Sequence, residues 1–68
     1  MDIEAAKEIQ NSTQRCIREL NSMLLQAKSN LSPDEFENLK LMSAQIMGHL
    51  VELEHVCIYA EYPALKPY

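Results

Sequence analysis

From Ser32 to Pro63 the sequence spells one long helix with apolar residues along two sides, and that pattern decides what the rest of the chain can do. The start is strongly marked. Ser32 offers an N-cap hydroxyl and Pro33 sits at the first helical position, where a missing N–H costs nothing. Glu35 is spaced to reach back to the cap, and Leu31 and Phe36 are placed to clip together across it. Apolar residues then recur in two registers. One runs Phe36, Leu39, Met42/Ser43, Ile46, Leu50, Leu53, Val56/Cys57 and Ala60, and the other Leu41, Ala44, Gly48, Val51, His55, Ile58 and Tyr62. On a heptad wheel they lie roughly opposite each other. Asn38, Gln45 and Glu52 separate them on one flank, and Lys40, Glu54 and Glu61 on the other. A helix apolar on two faces needs two packing partners.

The first partner is upstream. Residues 2–29 read as a second helix, with Asp2 as cap, Glu4 in the first turn and a single apolar stripe. That stripe comprises Ile3, Ala6, Ile9, Thr13, Cys16/Ile17, Leu20, Met23/Leu24 and Ala27. The link at 29–32 is so short that the helices must pack side by side and antiparallel, and Asn30 suits a left-handed C′ position. The expected fold is therefore all-α: a hairpin over residues 1–62, with helix 1 at about 2–29, the turn at 29–32 and helix 2 at about 33–61. Pro63 ends the second helix and residues 63–68 form an extended tail; Tyr62, Leu65 and Tyr68 can fold back over the bundle end.

Helix 1 and the first register of helix 2 satisfy each other, which leaves Leu41, Ala44, Gly48, Val51, His55, Ile58 and Tyr62 as the interaction seam. The simplest cover is a second copy, giving a dimeric four-helix bundle or a larger helical assembly. Size argues the same way, because a 68-residue chain gains only about 3–5 kcal/mol from its own core. Gly48, the one glycine, should cost about 0.5–1 kcal/mol mid-helix. With Ala44 it makes a notch suited to close helix approach, so Gly48→Leu is expected to break assembly.

Chemistry finds little support. Cys16 and Cys57 fall on core-facing stripes about ten residues out of level, some 15 Å apart, which is too far for a bridge within one chain; they read as buried free thiols. Glu52-x-x-His55 has the spacing of a bundle metal site, with His49 one turn earlier. Yet Glu52 lies on a polar flank and the helix 1 stripe carries no glutamate. His55 and Cys57, two apart, do not share a face, and no nucleophile–base set or glycine-rich loop is present, so the chain reads as non-enzymatic and without cofactor. With no leader-like segment and no apolar run near 18 residues, a cytoplasmic protein without membrane contact is expected. A net charge of −4 disfavours nucleic acid as the main partner.

Helix 1 nevertheless carries Lys7, Asn11, Gln14, Arg18, Asn21 and Lys28 on its outer side. With the hairpin plan and length, this resembles the repressor-of-primer (Rop) family, two-helix chains that dimerise into four-helix bundles and bind paired RNA loops through lysines and amides of the first helix. The resemblance is one of architecture, without a shared motif, and implies an RNA-binding regulator as the alternative to protein contact. Tyr62-Pro63-Ala64-Leu65 also matches a short peptide form, YPxL, read by eukaryotic adaptor proteins. The reading the residues favour is a homo-oligomeric protein–protein interaction module of adaptor, co-chaperone or inhibitor type. Its partners are itself and, alternatively, a helix of another protein, since Met42 and Met47 near the seam suit helix-in-groove contact.

Overall fold

The computed structural model describes residues 1–67. Helix α1 spans Ile3–Ala27 and helix α2 spans Pro33–Glu54; they form an antiparallel hairpin about 45 Å long, and no strand occurs among the described residues. Both starts follow their local signals. The Asp2 carboxylate accepts from the Ala5 N–H at 2.8 Å. At α2 the box closes in both directions: the Glu35 N–H donates to Ser32 Oγ at 3.2 Å, and the Ser32 N–H donates to Glu35 Oε1 at 2.9 Å. Those bonds hold the Glu35 carboxyl below its ordinary range. Leu31 and Phe36 line one cleft beside the turn.

The exit from α1 differs from expectation. Lys28–Asn30 tightens into a 3-10 turn, and no described residue has a positive φ, so Asn30 does not take the left-handed position. Tightening the last turn satisfies terminal carbonyls without a left-handed residue.

The fully buried core sits at the end where the two chain ends meet. Ala6, Ile58 and Tyr59 are buried there, with Ile9, Tyr62 and Leu65 packed against them. Towards the turn the contact thins, and Ile17, Leu20, Leu24, Leu39 and Leu50 are only half-buried. The helix 1 stripe faces α2 much as its spacing implies, save that Ile3, Cys16 and Met23 are exposed.

The inward line of α2 is not the heptad stripe. It runs Phe36, Leu39, Ser43, Met47, Leu50, Glu54 and Ile58. Phe36, Met47 and Ile58 recur every eleven residues, as do Ser43 and Glu54. A straight helix drifts about 20° per heptad away from a seven-residue repeat, so a strict three-and-four stripe rotates off the contact. Ile46, Leu53 and Val56 have done so, at 48%, 39% and 67% exposure. Two polar residues, Ser43 and Glu54, take the inward places instead, which corrects the assignment of Glu54 to a polar flank.

Helix 2 also ends differently. His55–Tyr59 widens into a π-turn, with the Ala60 N–H bonded to the His55 carbonyl at 3.1 Å. The extra residue lets consecutive Ile58 and Tyr59 both point inward. Beyond it, Pro63–Leu65 is a 3-10 turn rather than an extended tail, and it folds back on the hairpin. Tyr68 lies outside the described residues.

Candidate interaction face

The seven residues expected to form one seam are divided by the structure. Leu41, Ala44, Gly48 and Val51 are exposed; His55 and Tyr62 are half-buried; Ile58 has no exposed surface at all. Ile58 belongs to the hairpin's own core, so the seven residues do not make one continuous open stripe. The cause is the eleven-residue inward line, which brings the C-terminal part of the second register round to α1. Gly48 has nothing within 4 Å of where a Cβ would stand, so the hairpin itself does not use the notch.

The long apolar surface left open lies on the other side. There α1 presents Cys16, Leu20 and Met23, and α2 presents Ile46 and Leu50, around a groove of about 560 Å³ with Glu19 and Gln26 on its rim. Leu53 and Cys57 continue the band toward the chain ends. Met42, at 60% exposure, lies one turn before Ile46 on the side toward the loop. Both cysteines are free and exposed, which corrects their expected burial; they ride on the stripes that rotate outward.

A buried polar cluster locks the two helices together near their paired ends. Glu54 is only 3% exposed, and its Oε2 accepts from Thr13 Oγ1 at 2.6 Å and from Gln14 Nε2 at 2.9 Å. A buried carboxylate is costly unless donors satisfy it, and here α1 supplies both. One turn on, Gln10 Nε2 donates to Tyr59 Oη at 2.9 Å and to the Leu65 carbonyl at 2.8 Å, tying the π-turn and the C-terminal turn to α1. Tyr62 Oη donates to the Met1 carbonyl at 2.6 Å, and the Met1 amine stands 3.6 Å from Glu61. Partial desolvation, with Glu61 and Asp2 nearby, pushes the Tyr62 phenol above its ordinary value. With Tyr62 and Leu65 so engaged, the YPxL-like segment is folded in rather than offered as a free peptide.

The other sequence candidates are placed as follows. Gln14 leaves the outer row of α1 to bond Glu54, and Lys7 sits 3.5 Å from Glu4. Asn11, Arg18, Asn21 and Lys28 remain on the surface. Glu52 stands 3.8 Å from His49, whereas the His55 ring meets Tyr59 edge-on at 5.5 Å. Among the described residues no three metal-ligating side chains gather, and no helix is long and apolar enough to cross a membrane. Comparison with protein families, with curated proteins and with solved structures finds no match for this chain.

Nothing local announces the Thr13–Glu54 bond: Thr13 is the one polar residue in the helix 1 stripe, but a helical threonine can also be satisfied by its own helix, and its Oγ1 does lie 2.9 Å from the Gln10 carbonyl.

Proposed function

We propose that this protein is a non-enzymatic helical interaction module that works as a homo-oligomer, most simply a pair of hairpins forming a four-helix bundle. The observation that carries the reading is the open apolar band on one side of the hairpin. Monomeric proteins rarely leave contiguous apolar surface of this kind uncovered. The chain exposes 4975 Å², whereas about 4400 Å² is typical for its 7.8 kDa. The excess of about 600 Å² approaches the roughly 800 Å² that each partner contributes to a standard interface. Adaptor, co-chaperone and inhibitor roles all fit such a module, with a bundle face or end left for the target.

The test is molar mass by light scattering across a dilution series, for the parent and for Ile46→Lys. A mass of two chains or a higher multiple, shifted to one chain by the substitution, is the expected result. A single-chain mass for the parent at all concentrations refutes the proposal.

A further inference from the structure

The end of α2 is wound against its own local preference. His55, Val56, Cys57, Ile58 and Tyr59 include neither glycine nor proline, so none of them breaks an α-helix. Yet the Ala60 N–H passes over the Val56 carbonyl, its α-helical acceptor, and bonds the His55 carbonyl at 3.1 Å. Helical bonding resumes at once, with the Tyr62 N–H on the Ile58 carbonyl at 2.8 Å. A single wide turn of this kind carries one residue more than an α-helix would. Since its own residues do not call for it, contacts outside the turn hold it.

Tyr59 makes those contacts. It stands five residues beyond Glu54, which faces α1. In an α-helix, at about 100° per residue, Tyr59 would point about 140° away from that side. The extra residue brings it round to α1, where the ring is buried with Ala6 and Ile58. Its Oη accepts from Gln10 Nε2 at 2.9 Å. That nitrogen carries two hydrogens, and the Leu65 carbonyl accepts from it as well, at 2.8 Å. One amide group therefore holds the wide turn and the C-terminal turn together.

We infer that residues 55–65 form a two-position switch with Gln10 as its latch. Latched, the turn at His55–Tyr59 is wide, Tyr59 lies against α1 and the C-terminal turn is closed. Unlatched, the same residues wind on as α-helix and the Ala60 N–H moves from the His55 carbonyl to that of Val56. Tyr59 then turns away from α1, uncovering Ala6 and Ile58, and Leu65 loses its tie to Gln10. The backbone exchanges one hydrogen bond for another, so the balance rests on side-chain contacts, and whatever binds one position better shifts it. The switch lies at the chain ends and does not depend on the assembly proposed above.

The experiment reads the register by NMR on the full chain, because a coupling across the Ala60 hydrogen bond identifies its acceptor carbonyl. The parent should show His55. Gln10→Leu should lose that coupling and gain one to Val56. Nitration of Tyr59 by tetranitromethane, mapped by mass spectrometry, should become at least tenfold faster. Deleting Val56, an exposed residue, supplies the control. Ile58 and Tyr59 then stand three and four places after Glu54 in a regular α-helix, both on the side of α1. In that background Gln10→Leu should change Tyr59 nitration less than threefold. Retention of the His55 acceptor in the Gln10→Leu chain refutes the switch. So does an equal rise in nitration in both backgrounds, which marks a lost bond without a change of register. Should Gln10→Leu fail to fold, Tyr59→Phe removes only the hydroxyl and should weaken the His55 coupling at least twofold. An unchanged coupling there refutes the switch as well.

Discussion

Replacing Thr13 by valine removes one hydroxyl from the place where the two helices are bolted together. The shape is nearly kept and helix propensity hardly changes, so the effect isolates the bond. Thr13 Oγ1 lies 2.6 Å from Glu54 Oε2 and 2.9 Å from the Gln10 carbonyl, and its single proton serves the shorter, charge-assisted contact. After the substitution the Glu54 carboxylate, only 3% exposed, retains Gln14 as its donor. A hydrogen bond to a charged group contributes about 1.5–3 kcal/mol. In a domain of this length, 2 kcal/mol lowers Tm by about 8–16 °C. The assay is thermal melting by circular dichroism at one fixed chain concentration, since association shifts the midpoint. A second variant sharpens it: Thr13→Val combined with Glu54→Leu exchanges the polar contact for an apolar one and should be less destabilised than the two single losses added together. A Thr13→Val midpoint within ~2 °C of the parent refutes the reasoning.

Three further outcomes are expected. Gly48→Ala should stabilise the chain by about 0.5–1 kcal/mol because open space surrounds the added methyl, and Gly48→Leu should leave the dimer mass unchanged; dissociation by Gly48→Leu in light scattering would return the interface to the Ala44–Gly48 side. Ser32→Ala should cost about 1 kcal/mol by chemical denaturation. Because the cap lowers the Glu35 pKa, its contribution is complete above the unfolded-state value and fades as pH falls through the folded one, and Ser32→Ala should remove that acid-side slope. Tyr62 is shifted the other way, so the parent should lose stability as pH rises past about 10 and through the folded-state value. Tyr62→Phe should flatten that alkaline slope, measured by denaturant midpoints at stepped pH.

How much of this was legible depended on the range of the signal. Caps are decided within four residues, and Asp2, Ser32, Pro33 and Glu35 all behave as their spacing implies. The hairpin follows from the short link. The rotation of α2 is a different matter, since apolar letters at three-and-four spacing mark a stripe but not which side of it touches the neighbour. Ser43 and Glu54 occupy inward positions that a search for apolar residues passes over, and the drift they record accumulates only over several turns. The π-turn at His55–Tyr59 has no local breaker to announce it. Its consequence is that Tyr59 turns inward beside Ile58, while Ile46 and Leu53 stay outside.

The Thr13–Glu54 contact joins residues 41 positions apart, and among the described residues no side-chain hydrogen bond joins the two helices nearer the loop. A hairpin of this build gains least from the contacts nearest its bend, and closing its strongest clasp directly means closing a long ring. Amide exchange should accordingly be slowest in the turns around Thr13 and Glu54 and fastest beside Asn30, so that in isolation the molecule opens from its bend.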